Sequence, residues 1–519
     1  MTGRYDLSIV GSGFGGSLLA MIARRLGLSV VLLERGKHPR VVIGESSTPI
    51  TNLILEGLAT RYHLPSIRPL AKWGSWQRTH PEIACGLKRG FTFYHHDLEK
   101  PRYSAPERNE QLLIAASPHD EISDTHWYRA DFDDFLVHEA QKLGVDYLDE
   151  TNLSTFAESD SEVRLAGTRH GRNLSIAAKF LVDASGPRGF LHRALGLREL
   201  ELPGFPPTQA LYSHFEGVRR LEDLYSPPDG QSLPYPVDDA AVHHVFDGGW
   251  IWVLRFNNGM TSAGIAATDA VAEKYKFTAG AEAWKRILHD IPVLESQFDS
   301  AEAIRPFTRI PRVAFRSEEI AGQRWALLPS AAGFVDPLLS TGFPLTLLGI
   351  SRLAKIFEED WESPRFATSI ARYAAQTDAE LLATARLISA LYANMSDFSV
   401  FVSLSLLYFA AASFSETARR LEKPHLASSF LLHDHPEFGP ACVRLIERAQ
   451  HIRTEQESKE LQADILQTIE PFDVAGLGDA SRRNWYPVDP DDLLRSARKL
   501  DATQDDLTEL LKRCGFQLQ

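Results

Sequence analysis

Cysteine and methionine are scarce in this 519-residue chain, three and four copies respectively, and Cys85, Cys442 and Cys514 stand far apart. An odd number, with no Cys-x-x-Cys and no Cys/His ligand spacing, excludes a disulfide framework and a structural zinc site. A reduced, cytoplasmic protein without metal is expected. Basic residues are also in deficit: 55 Lys and Arg against 68 Asp and Glu leave a net charge of −13, which argues against a protein that neutralises a nucleic-acid backbone. Long hydrophobic runs are missing except for Phe398 to Ser415, which carries five serines and has Asp397 on its N-terminal flank. That stretch is marginal in length for a membrane span and reads as a buried helix wall. The first strand starts within five residues, so no cleavable export signal is expected. There is no Gly-x-Ser-x-Gly elbow, internal repeat or low-complexity tract.

What is present begins at once. Tyr5 to Val10 reads as a buried strand running into Gly11-Ser-Gly13-Phe14-Gly-Gly16, the turn that brings a pyrophosphate onto a helix N-terminus. A second apolar strand, Ser29 to Leu33, ends at Glu34, placed to accept ribose hydroxyls, with Arg35 beside it. The chain then leaves on a long excursion. It contains Gly44-Glu-Ser46-Ser-Thr-Pro49, a capped helix start, and Arg129 ahead of a helix over 131–143. A strand over 179–184 brings Asp183 back to a turn at Gly186. Residues 205–325 are rich in aromatic and β-branched residues and predict an antiparallel sheet on the substrate side. A strand over 324–328 enters a turn carrying Asp336 and Ser340-Thr341-Gly342, with a helix beyond. From about 356 to the end, three-to-four spacing predicts helices.

The single fingerprint, Glu34 and the late Asp-containing turn together describe FAD better than a nicotinamide cofactor alone. The expected fold class is α/β: an FAD-binding Rossmann-like domain interleaved with an antiparallel β-sheet substrate domain, over 1–355, plus a helical C-terminal region over 356–519 that covers the substrate pocket.

Five segments carry a resemblance: Gly11–Gly16, Gly44–Pro49, Asp183-Ala-Ser-Gly186, Trp250-Ile-Trp252 and Phe334-Val-Asp-Pro-Leu-Leu-Ser-Thr-Gly342. Over residues 1 to about 355 the chain resembles the flavin-dependent halogenases, within the aromatic-hydroxylase-like flavoproteins, and its helical tail resembles that of the halogenases of free phenols more than that of the tryptophan halogenases. The resemblance implies FAD, supplied reduced by a separate reductase, and oxygen and chloride or bromide as co-substrates. It implies hypohalous acid passed to a lysine beside a small aromatic substrate, free or carrier-tethered. The lysine falls at Lys88, with Phe93 on the same segment; strand alternation with Arg89 leaves its orientation open. Ser340, Thr341 and Gly342 correspond to the halide and flavin-edge turn. Tryptophan halogenases carry a glutamate where this chain has Leu339, which points to an electron-rich, phenolic ring.

Trp250 and Trp252 match the indole pair held to keep substrate from the flavin, but Leu254-Arg255 replaces the family's Ile-Pro. Aromatic pairs in a strand also serve plain packing. Arg129 and Asp336 are the expected side-chain contacts to the flavin, Asp336 because Leu328-Pro329-Ser330 stands where many flavin hydroxylases have Gly-Asp. Phe398 is expected in the substrate wall. His95, His96, His243 and His244 are titratable but read as structural or surface groups. The competing expectation is an FAD monooxygenase or oxidoreductase acting directly on an aromatic substrate, and a third is a flavin-binding partner protein without turnover.

Overall fold

The computed structural model describes residues 2–101, 107–224 and 232–516. Its organising element is the strand Thr2–Val10. It pairs in parallel with Val30–Leu33 on one side and Arg172–Asp183 on the other. Asp146–Leu148 extends the first edge, also in parallel. The twelve-residue strand Arg172–Asp183 uses its far edge twice. Its first half pairs antiparallel with Val163–Arg169 in a meander with Thr151–Glu158, and its last three residues pair in parallel with Trp325–Leu327. The central strand tips are buried and, apart from Ser8 and Asp183, apolar, as a parallel sheet covered on both faces requires. They deliver Val10, Leu33, Asp183 and Leu327 to one edge of the sheet, where ligands of open α/β folds bind.

The second large sheet contains Thr208–Glu216, Thr261–Thr268, Gly249–Arg255 and Ala241–Phe246 in that spatial order. It does not stop at the predicted 205–325. Gly90–His95 and Gln111–Ala115, from the excursion, continue it, and Trp485–Tyr486 closes that edge from the C-terminal region. A separate two-stranded ribbon, Cys85–Lys88 against Asp124–Trp127, stands beside the larger sheet.

The predicted helices form close to their expected bounds: Phe14–Arg25, Arg129–Lys142 and Gly342–Glu359. In the Gly44–Pro49 segment Thr48 caps the helix Pro49–Arg61 by accepting from the Thr51 N–H, with proline at the first position. The apolar stretch near 398 belongs to helix Phe398–Arg420, which Asp397 caps. It is long and apolar enough to cross a membrane, yet 83% of its most apolar window is buried inside the protein, as a core helix is. The C-terminal helices are tied to the cofactor side by side-chain bonds. Tyr373 donates to the Leu327 carbonyl at 2.7 Å, and Arg352 and Glu380 pair through two bonds of 2.6 and 2.7 Å. One apolar core runs from the first strand into these helices.

Candidate functional site

A cleft of about 690 Å³ opens where the two sheets meet. Of the residues predicted to hold the cofactor, Gly11, Gly13, Phe14, Glu34, Arg35, Ser46, Arg129 and Gly342 line it, joined by Trp250, Trp252, Ser340 and Thr341. Gly11 has φ +101°, and a Cβ there would sit 2.6 Å from the Ala184 carbonyl; only glycine fits. Gly16 lies outside the cleft, where a Cβ would run into the Gly11 carbonyl oxygen, so its task is close packing of helix on strand. The helix Phe14–Arg25 has no side-chain cap, which leaves its first N–H groups to an anion.

Glu34 accepts from the Ser12 N–H at 3.0 Å and the Gly36 N–H at 2.8 Å, and pairs with Arg40 at 3.2 Å. Burial alone would raise its pKa, but Arg40 and these donors together hold it below the ordinary carboxylate range. Arg129 is bound within its own helix and also reaches the cleft. Its guanidinium pairs with Asp133 at 2.7 Å, donates to the Gly44 carbonyl at 2.9 Å, and faces the cleft over the Phe14 ring at 5.1 Å. Uncapped helix, glycine turn and anchored acid fit the pyrophosphate and ribose of FAD.

Two of the expected cofactor residues do not line the cleft. Asp183 turns into its own loop, accepting from the Ser185 N–H at 2.8 Å and the Leu191 N–H at 2.6 Å. Asp336 is also out of the cleft. Its carboxylate accepts from Trp250 Nε1 at 3.1 Å, the Tyr392 hydroxyl at 2.9 Å and the Leu338 N–H at 2.9 Å. Burial pushes it up to about 7 against those three donors. Both carboxylates sit in the predicted turns and build those turns. Asp336 thereby fixes the turn in which Leu339 and Ser340 both adopt left-handed backbone, φ +62° and +55°, a strain that persists only where the surroundings impose it. Leu339 itself is fully buried.

The strand Gly249–Arg255 presents Trp250, Trp252 and Leu254 to the cleft, the indole centroids 5.7 Å apart. Arg255 takes the opposite face and pairs with buried Asp238 at 3.1 Å, so the cation that replaces the family's proline stays out of the cleft.

Lys88 points inward, and Arg89 points away to meet Asp120 at 2.8 Å. The Lys88 amine is fully buried. It donates to Ser46 Oγ at 2.9 Å and to the Ser47 carbonyl at 2.5 Å, and lies 3.8 Å from the centre of the Phe91 ring. Burial lowers its pKa to about 7, opposed by the charge of Asp124. Ser46 thus faces the cleft on one side and holds this amine on the other. Phe93 stacks on His243 at 4.4 Å, and Phe398 reaches it only through Phe401, at 5.6 and 5.9 Å.

Sequence reasoning underrated His243, which lines the cleft and is held near 3, hence neutral, by burial and by Lys88. It missed the buried Glu45–His214 pair, 2.8 Å apart, whose Glu45 also lines the cleft. It missed Asn52 and Asp124 beside Lys88 as well. No sequence spacing signals such partners.

Comparison with known proteins gives the family and agrees with the fold. The tryptophan halogenase family profile matches residues 99–398, more than half of the chain. Tetracycline 7-halogenase of Kitasatospora aureofaciens is 32% identical over 378 residues, 70% of this chain and 66% of the relative. The monodechloroaminopyrrolnitrin halogenase PrnC of Pseudomonas fluorescens is 30% identical over 371 residues, 69% of this chain and 63% of the relative. The chain therefore spans just under two thirds of the length of these relatives. The crystal structure of halogenase PltM in complex with phloroglucinol and FAD superposes with a TM-score of 0.81 at 25% identity, over 92% of this chain and 99% of that one. Fold and cleft define a flavoprotein of the halogenase class. The chain belongs to the tryptophan halogenase family of flavin-dependent enzymes.

Proposed function

We propose that the protein is an FAD-dependent halogenase that places chloride or bromide on an electron-rich aromatic ring, a phenol first. The observation that carries this reading is Lys88: a fully buried amine held by a serine that also lines the cofactor cleft. A surface lysine has no need of such a seat, and an enzyme that hydroxylates from the flavin directly has no use for one.

Reduced FAD, delivered by a separate reductase, supplies the electrons that reduce oxygen and so permit halide oxidation. The chain's own residues do the rest. The Gly11–Gly16 turn, Glu34 and Arg129 hold the cofactor. Ser340, Thr341 and Gly342 hold the halide at a helix start, where main-chain N–H groups favour an anion. Trp250 and Trp252 wall the cleft and keep the ring from the flavin. Lys88 receives hypohalous acid and directs its halogen to the substrate, enclosed by Phe91, Phe93 and, further out, Phe398. Leu339 supplies no carboxylate there, which suits a ring already activated by its own hydroxyl. A cytoplasmic setting agrees with three unpaired cysteines.

Product mass spectrometry tests this. The purified protein is incubated with FAD, a flavin reductase, NADH and a panel of phenols and indoles, with bromide, chloride or no halide. A halide-dependent product bearing bromine's isotope doublet is expected. Oxygen added to the ring without halide would instead make the protein a monooxygenase.

A further inference from the structure

Lys88 has a carboxylate opposite it. Asp124 is its Cα partner across the antiparallel ribbon, so the two side chains leave the same face. Asn52 Nδ2 donates to Asp124 Oδ1 at 2.7 Å and to Ser47 Oγ at 3.0 Å, while the Ser47 carbonyl receives the Lys88 amine. One amide therefore clamps both the carboxylate and the residue that anchors the amine. The remaining oxygen, Asp124 Oδ2, is buried without a hydrogen-bond partner, a state that costs about 1–3 kcal/mol and asks for an explanation.

The surrounding charges leave Asp124 as the counter-charge of Lys88. His126, on the same ribbon, and His243, on strand Ala241–Phe246, are kept neutral by burial and by Lys88 itself. From helix Phe398–Arg420, Glu416 and Arg420 pair with each other at 2.8 Å. Tyr408, on the same helix, stays protonated because burial and Asp124 raise it.

We propose that Asp124, clamped by Asn52, is the positioning residue of Lys88, and that it supplies from the facing strand the carboxylate that Leu339 lacks. The inference rests on the halogenase reading. As the ring carbon bonds to halogen, the halogen–oxygen bond of hypohalous acid breaks. Its oxygen departs as water with the Lys88 ammonium proton, and the ring proton returns to the Lys88–Asp124 pair. Ring and hypohalous acid thus become halogenated ring and water, with the pair restored. Burial disfavours charge on both groups, and each charge partly offsets that effect on the other, so the state of Lys88 depends on the carboxylate facing it.

The test is a pH titration of FAD-loaded enzyme labelled with 13Cε-lysine, read by NMR, with Lys88→Ala to assign the signal and product assays run alongside. In Asp124→Asn the ammonium loses its counter-charge, so the Lys88 titration is expected to move to lower pH by about one unit or more. The product rate at pH 8 is expected to fall at least about tenfold, with FAD still bound. Asp124→Glu is expected to restore most of both. An unmoved titration and an unmoved pH profile in Asp124→Asn overturn the proposal. Should that variant not fold, Asn52→Ala keeps the charge and removes the clamp; a smaller shift in the same direction supports the pairing, and none overturns it. A Lys88 titration that moves as described in Asp124→Asn, alongside a wild-type enzyme that makes no halogenated product, supports the pairing and removes the halogenase reading.

Discussion

The cofactor cleft and the surroundings of Lys88 are built by opposite means. The cleft is shaped by backbone: a glycine turn, an uncapped helix start and strand tips, open along one side. The Lys88 surroundings are made of side chains from separate segments, Ser46, Asn52, Phe91 and Asp124, and the amine is out of reach of solvent. The difference follows the chemistry. A dinucleotide needs close approach of main-chain N–H groups, which side chains obstruct; the halogen carrier proposed for Lys88 would need enclosure, which side chains supply.

The comparison breaks hardest at the glycines. A Cβ at Gly13 meets nothing nearer than Arg129 Nη2 at 3.4 Å, so Gly13→Val is expected to fold but to lose stoichiometric FAD, measured by flavin absorbance of the purified protein. Gly16→Ala forces a methyl against the Gly11 carbonyl and is expected to cost about 1–3 kcal/mol of stability in urea unfolding. Full flavin in the first variant, or unchanged unfolding in the second, contradicts the division of labour within the turn.

The strand carrying the tryptophans sharpens it next. Arg255→Leu removes the ion-pair partner of buried Asp238 and leaves it the Leu221 and Glu222 N–H donors, with an expected loss of about 2–3 kcal/mol. Because Arg255 faces away from the cleft, halogenation per folded enzyme is expected to hold. A change in product identity would place Arg255 at the substrate.

Smaller effects belong to buried Asp336, which ties the Trp250 strand to the C-terminal helices through Tyr392. Tyr392→Phe removes one donor and is expected to cost about 1 kcal/mol. Asp336 also carries a pH signature. Its carboxyl ionises near the ordinary 3.8 when unfolded but waits until about 7 when folded. The stability it contributes is therefore complete below 3.8 and is lost as pH rises through 7. Asp336→Asn is expected to flatten that decline in unfolding midpoints measured from pH 5 to 8; an equally steep decline assigns it to other groups.

Much of the cleft was legible in sequence because nucleotide binding demands glycine at fixed spacing and an acid at a strand end, and both are local. Helix starts at Phe14 and Thr48 were legible for the same reason. Asp183 and Asp336 misled because a carboxylate in a strand-to-helix turn reads alike whether it faces a cofactor or its own backbone. The inward turn of Lys88 followed from nothing local, since Lys88 and Arg89 alternate across a strand. Its partners were invisible: Asn52 and Asp124 lie 72 residues apart, and Glu45 and His214 are separated by 169. Such pairs exist only once the fold brings their strands and helices together.

Separation of the two regions is tested most directly by Lys88→Ala, with flavin reoxidation followed by stopped-flow absorbance and halogenated product by mass spectrometry in the same reaction. Product is expected to fall by about 10²–10⁴, while reoxidation of reduced flavin keeps its wild-type rate and the oxygen consumed appears as peroxide. Undiminished product, or a flavin that no longer reoxidises, would contradict the account.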